Sequence, residues 1–458
     1  MIRLSLITLF LFLSSLSSFS YAQDKGTRAW RAGTARVNIT PQQPMWLAGF
    51  GSRTKPSEGK IHDLWAKALI MEDAKGRRAV LITMDLNGIP RNISIRIRER
   101  LETKYSLSRS RIILNASHTH SGPVLDNYLY DVYPITDELK ERSRVYTIKF
   151  EEQIVNLVGS AIRDLEPVKV YSENGVTRFQ VNRRNNSEAA LSRQTELEGP
   201  NDYAVPVIKV VNRKNKLKAI AFGYSCHPSV LSLDKWSGDY PGFAQIELEK
   251  LHPGATALFF QSTGADQNAI PRNTIAWAKQ YGTELAAAVG RVMEDDMKEL
   301  SPELATAYRE IDLPFAAPYT IEELERMKKD PSKYQQAWAA RMLEKARRGE
   351  SLPKSYPYPI QVWKLGEQPI MAMGGEVVVQ YGIDLKKIFG QQLFVMGYSN
   401  DIMTYIPSER ILKEGKYEGF LANILFGLPG QWAAGVQSTI VNGMVKLAEE
   451  AGVEEQAP

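Results

Sequence analysis

Cysteine is nearly absent: Cys226 stands alone in 458 residues, which excludes an intramolecular disulfide and a cysteine-rich zinc finger. Histidine is scarce too. The five are His62, His118, His120, His227 and His252, so any histidine-dependent chemistry must draw on that short set. Long apolar runs are also lacking. The one near the start, Leu4 to Leu13, is followed by serines and falls short of the roughly 20 residues a spanning helix needs. Charge of one sign does not dominate: 57 basic against 52 acidic residues leave a net +5, too small and too dispersed to point to nucleic acid. No Pro-rich or Gly/Ser-rich tract divides the middle, and no repeat of 20 to 50 residues is visible. With 43% hydrophobic and 24% charged residues, the composition excludes a disordered, collagenous or multi-pass membrane chain.

The N-terminus carries a processing pattern. Arg3, the apolar run, a Ser-rich stretch and the small-x-small tripeptide Ser20-Tyr21-Ala22 predict a signal peptide over residues 1–22, cleaved after Ala22. That implies a secreted or periplasmic protein; an uncleaved anchor is the alternative. Downstream, strand and helix signals alternate. Ala66–Met71 and Arg78–Met84 read as strands around a turn at Asp73–Gly76, Asn92 as the cap of the following helix, and Arg111–Ala116 as a buried strand. A long helix is expected over Ser143–Asp164. Val205–Val211 and Leu217–Tyr224 predict a hairpin, Ala257–Gln261 a short strand and Ile275–Leu300 a helix. Residues Thr320–Gly349 are highly charged and predict a solvated helical excursion or a lid. Met371–Tyr381 and Gln392–Gly397 resume the β pattern, and a final helix is expected near Gln431–Ala451. The expected fold is α/β, with layered mixed β-sheets flanked by helices in a single large catalytic domain over 23–458.

Candidate chemistry gathers at strand ends. In Arg111–Pro123, alternation along the strand puts His118 and His120 on one face just before Gly122 and Pro123 stop the pairing, suiting metal binding or proton transfer. His227 follows another apolar strand and precedes Pro228. Its neighbour Cys226 points to the opposite face and reads as packing. Asp239, in the Ser237–Gly242 loop, could face a cleft. The Ser262–Asn268 stretch offers glycine and exposed amides. Glu376, after Gly374-Gly375 in an apolar strand, needs a partner, either a cation or an arginine.

Six of these segments occur in an order that resembles the neutral/alkaline non-lysosomal ceramidase family from about residue 30 to 450. They are Ala32–Pro41 with Ala48–Gly51 and Ile61-His62-Asp63; His118-Thr119-His120; Cys226-His227-Pro228; Gly264-Ala-Asp-Gln267; Gly375-Glu376; and Tyr405 with Tyr417. The resemblance implies one Zn2+ per chain, held by His118, His227, Glu376 and Tyr405. His120 falls at the position that assists proton transfer, Arg183 at the substrate-orienting arginine, and Tyr417 at the tyrosine that bonds the scissile amide. Gly49 and His62 fall on the pocket wall. Asn268 stands where the family has a serine proposed to take part in amide attack, with Ser262 six residues earlier. The family continues into an immunoglobulin-like domain, so the likeness is to its N-terminal catalytic part.

Those donors make chemical sense. Two nitrogens and a carboxylate suit zinc, which lowers the pKa of a bound water to about 7, while Tyr405 needs the ion's charge to ionise because a free phenol titrates near 10. The implied function is an exported zinc-dependent hydrolase of an N-acyl amide, with ceramide as first candidate substrate and peripheral membrane contact as the route to lipid. Alternatives are an esterase or small-amide hydrolase, and a lapsed metal-containing binding protein.

Overall fold

Strands Trp65–Glu72 and Arg78–Met84 are buried on both faces, which explains why they read as apolar runs and not as alternation. They sit inside a nine-stranded mixed sheet in a computed structural model that describes residues 29–456. The signal-peptide segment lies outside the described residues. Across the sheet the order is Ile112–Ala116, Arg78–Met84, Trp65–Glu72, Trp30–Asn38, Glu166–Val176, Ala204–Asn212, Leu217–Tyr224 and Thr256–Gln261, with Lys298–Glu299 added beside Glu166–Val176. Most pairs are antiparallel. The outermost pair at each end is parallel.

Those two ends are fastened to each other. The Asn115 amide nitrogen donates to the Gln261 carbonyl at 3.3 Å, and its oxygen accepts from the Gln261 N–H at 2.8 Å. The same nitrogen donates to Gly397 O and Ser399 Oγ at 2.9 and 3.1 Å, tying in a second sheet of Leu304–Pro314, Ser355–Leu365, Gln368–Met373 and Phe394–Met396. Side chains of both sheets, including Leu81, Ile113, Phe260, Trp363 and Phe394, fill one apolar core. Helices Arg91–Tyr105, Asp137–Arg163, Asp239–Leu251, Ile275–Glu294, Val379–Phe389 and Val436–Glu450 flank the sheets. The layered α/β architecture expected from the alternating signals is therefore the one observed. No helix of the described residues is long and apolar enough to cross a membrane.

Several local expectations are corrected. Asn92 lies inside its helix, whose N-cap is Pro90; the Asn92 oxygen accepts from Ile93 N–H instead. The long helix begins at Asp137, where the Thr136 hydroxyl accepts from Leu139 N–H and Asp137 and Glu138 favour the dipole. The helix from Ile275 stops at Glu294, short of Leu300. Met371–Tyr381 is not one strand: Gly375, at φ 76°, breaks it, and a helix starts at Val379. Residues 320–349 form helices Ile321–Met327 and Lys333–Arg347 with a core of their own, in which Leu324, Trp338, Met342 and Leu343 pack on Ile424.

Candidate metal centre

Parallel neighbours release their carboxyl ends at the same edge, and a ligand site in a mixed α/β sheet belongs there. Arg78–Met84 leads to Asn87, Ile112–Ala116 to His118 and His120, Leu217–Tyr224 to His227, and Thr256–Gln261 to Asp266. Because Asn115 and Gln261 are bonded to each other, the two parallel pairs deliver their loops to one place. The convergence of His118 and His120 has a different cause from strand alternation. The strand ends at Ala116, and His118 takes a left-handed φ of 64°, which swings its ring back toward its neighbour.

Three imidazole Nε2 atoms meet here. His118 and His227 are 3.0 Å apart, His120 and His227 3.1 Å, and His118 and His120 3.3 Å. Glu376 Oε2 lies 3.1 Å from His118 Nε2 and 3.8 Å from His227 Nε2 and has no hydrogen-bond partner. Among the described residues no arginine or lysine reaches Glu376 within 4.0 Å, so the arginine alternative for its partner falls away. The His118 Nδ1–H donates to the Asn87 carbonyl at 2.6 Å, which leaves a lone pair on its Nε2, aimed at the other rings. Burial, the largest cause, holds His120 and His227 well below the ordinary histidine pKa, and the nearby Arg183 charge adds to it. Imidazole nitrogens whose lone pairs converge beside an unpartnered carboxylate oxygen repel one another unless a cation joins them. Atoms held about 2.0–2.1 Å from zinc in a tetrahedron stand roughly 3.3 Å apart, so the donor set fits that ion.

His120 has its Nε2 nearly as close to the other two nitrogens, at 3.1 and 3.3 Å, as they are to each other at 3.0 Å. It is also the most open of the three, 9% exposed against 1% for His118 and His227. Glu376 pairs in register with Tyr405, so a two-residue parallel bridge sets the carboxylate beside the phenol. The Tyr405 ring stacks over His227 at 6.5 Å, and its hydroxyl accepts from Arg183 Nη2 at 3.1 Å. Burial raises the Tyr405 hydroxyl well above the ordinary phenol pKa, and Arg183 offsets part of that rise. Tyr417, 37% exposed, meets Tyr405 edge-on at 5.2 Å. His118, His120, Glu376, Tyr405 and Tyr417 line a cavity of about 50 Å³ with Gly49, Asn87, Tyr133 and an apolar rim that includes Val132 and Phe426.

Comparisons with known proteins point to one family. The family model for "Neutral/alkaline non-lysosomal ceramidase, N-terminal" matches residues 30–298. The chain belongs to the neutral/alkaline non-lysosomal ceramidase family. The neutral ceramidase of Pseudomonas aeruginosa is 23% identical over 255 residues, covering 52% of this chain and 36% of that protein. Neutral ceramidase A of Dictyostelium discoideum is 24% identical over 271 residues, 56% of this chain and 37% of that protein. The chain thus spans about a third of the length of these relatives. The crystal structure of the Pseudomonas aeruginosa neutral ceramidase superposes with a TM-score of 0.70 at 19% identity, covering 94% of this chain and 76% of that one, which establishes a shared fold.

Within this ceramidase-family fold the remaining candidates separate. Gly49 belongs to the cavity, with its N–H donating to Tyr133 OH at 2.9 Å. A Cβ there would lie 2.4 Å from His120 Cγ, at a φ of +102°. Gly49→Ala is therefore expected to displace His120 and cost about 1–3 kcal/mol, read as a lower urea midpoint. His62 does not line this cavity. It bonds Ser237 Oγ at 3.1 Å, packs on Phe243 and borders a separate groove of about 630 Å³, so its placement on the pocket wall is corrected. Asn268 does not line the cavity either; it bridges His227 through the backbone, and its side-chain oxygen has no partner. Asp266 is a clip, accepting from Asn182 Nδ2 and Val379 N–H, both at 2.8 Å. Cys226 is fully buried against Tyr240, and burial pushes its thiol upward, so it stays protonated packing.

Asp239 does not face a cleft. It opens the helix Asp239–Leu251 and is buried, accepting from Leu231 and Tyr240 N–H at 2.9 and 2.7 Å, and burial raises its carboxyl to about 6. Between about pH 4 and 6 the folded state keeps a proton that the unfolded chain has lost, so stability falls as pH rises through that window and levels off above it. Relative to Asp239→Asn, the wild type is expected to lose about 3 kcal/mol from pH 4 to 7 in urea unfolding.

Asn87, Tyr398 and Arg53 escaped the sequence reading. Tyr398 covers His118 at 4.4 Å, and Arg53 Nη2 donates to the His120 carbonyl at 2.9 Å. Only Asn87 had a signal: a polar residue two positions past a buried strand.

Proposed function

We propose that this chain is an exported, zinc-dependent hydrolase of N-acyl amides, with ceramide as the first candidate substrate met at a membrane surface. The observation that carries the proposal is the convergence of three histidine Nε2 atoms on an unpartnered glutamate oxygen inside a ceramidase-family fold. His118, His227, Glu376 and Tyr405 would hold the ion. When bound, zinc would supply a Lewis acid for the acyl carbonyl and lower the pKa of a water toward 7. His120, kept neutral by burial and the most open of the three histidines, accepts a proton and passes it to the departing amine nitrogen. Arg183 steadies the Tyr405 hydroxyl, and Tyr417 offers its own at the cavity mouth to the scissile amide.

A second reading is favoured by the cavity, whose 50 Å³ holds about three to five waters. That volume suits a small amide or ester better than a lipid. Both readings are tested by metal analysis of the purified chain and an assay of ceramide beside short N-acyl amides and esters. One zinc per chain with ceramide turnover supports the first reading, and zinc with turnover of short substrates alone supports the second. Zinc with no turnover of any of them points to a metal-containing binding protein, and a chain that binds no zinc overturns all three.

A further inference from the structure

Glu418 occupies a position that none of the proposed roles explains. It is 5% exposed, yet it lies between two arginines. Arg183 Nε donates to Glu418 Oε1 at 3.0 Å, and Arg184 Nη1 donates to the other oxygen. Arg184 uses Nη2 on Glu414, which is largely exposed. Arg183 Nη2 also lies 3.0 Å from Glu418 Oε1, and it donates to the Tyr405 hydroxyl at 3.1 Å. An arginine fork is planar, so fixing Nε on a carboxylate fixes where Nη2 points. Burial alone would raise the Glu418 carboxyl, but Arg183 and Arg184 bring it below the ordinary glutamate value, so it remains an anion.

The backbone around Glu418 is shaped for this. Gly415 and Lys416 both take positive φ, 68° and 62°, and Tyr417–Leu421 then forms a π-type turn. A non-glycine residue in that region is costly, and π turns occur often at functional sites. Here the turn sends Tyr417 to the cavity and its neighbour Glu418 to the arginines.

We propose that Glu418 is a positioning residue of the metal centre: its carboxylate aims the Arg183 guanidinium at the Tyr405 hydroxyl and, through the shared turn, anchors Tyr417 at the cavity mouth. The catalytic consequence rests on the proposed hydrolase; the geometric one does not.

The test compares Glu418→Gln with Glu414→Gln, which strips Arg184 of its outer partner and leaves Arg183 untouched. Crystal structures of wild type and both variants report the distance from Arg183 to the Tyr405 hydroxyl. Glu418→Gln is expected to lose that bond, while Glu414→Gln keeps it. In the zinc-loaded proteins Glu418→Gln should lower zinc affinity, by chelator competition, or kcat by at least about 10-fold, as loss of an outer partner typically does, with KM little changed; Glu414→Gln should alter neither. If Glu418→Gln does not fold, Glu418→Asp, which keeps the charge on a shorter stem, is expected to lengthen the Arg183 contact and give a smaller loss. An unchanged Arg183–Tyr405 contact in the Glu418 variant, or equal losses in both variants, overturns the proposal. A wild type without zinc or turnover would overturn the hydrolase reading instead and leave the crystallographic comparison to decide the role of Glu418.

Discussion

His227→Ala is expected to abolish stoichiometric zinc and to reduce amide hydrolysis by more than about 100-fold, the upper range for loss of an outer partner alone. Its Nε2 lies within 3.1 Å of both other imidazole nitrogens and the ring is fully enclosed, so alanine removes one of the clustered nitrogens and leaves a gap. His120→Ala provides the contrast. As the most open member, and the one assigned to proton transfer, its loss should leave zinc bound while lowering turnover by about 10²–10⁴-fold. Zinc content measured on both variants separates the roles. Loss of the metal from His120→Ala would make His120 a ligand, and retention by His227→Ala would remove His227 from the set.

Asn115→Ala is expected to be the most destabilising of the substitutions considered, by about 3–5 kcal/mol in urea unfolding. Its amide makes four hydrogen bonds in a fully buried place; without it Gln261 N–H loses its partner, while the Gln261 and Gly397 carbonyls keep one each, from Gly397 N–H and Ser399 Oγ. That orphan costs about 1–3 kcal/mol, and each of the other lost bonds about 0.5–1.5 kcal/mol. Because Asn115 joins both ends of the large sheet and the edge of the second, the damage should extend to zinc retention. A variant within 1 kcal/mol of wild type would mean that the sheets hold each other by apolar packing alone.

Strands with an uninterrupted apolar sequence were legible. Arg78–Met84 falls where its pattern put it, and the hairpin of Ala204–Asn212 and Leu217–Tyr224 lies within a residue of its expected bounds. The three longest strands, of eleven residues each, went unread. Ser355–Leu365 contains Pro357 and Pro359, residues that argue against a central strand. They are tolerated because the second neighbour pairs only from Ile360 onward, leaving that stretch with a single partner. Glu166–Val176 and Leu304–Pro314 carry charged and polar side chains on partly exposed faces, which dilutes the alternation. In the site, histidines and Glu376 could be marked individually, but what joins them is long-range: an amide on one strand fastening another 146 residues away, and a left-handed histidine that no periodicity encodes. His62 misled for the opposite reason, because its Ile-His-Asp context matched a motif while its ring turned to Ser237.

The helical pair Ile321–Met327 and Lys333–Arg347 has an effect beyond covering surface. Its small core includes Ile424, and the Trp338 indole donates to the Leu428 carbonyl at 2.7 Å. Between those two anchors lie Leu425 and Phe426, which form part of the cavity rim. One wall of the entrance is thus mounted on a helical pair with its own small core, apart from the histidine cluster. Changes in the length or packing of these helices can reshape what the entrance admits while the donor set stays as it is, so substrate range and metal chemistry can diverge independently within one fold.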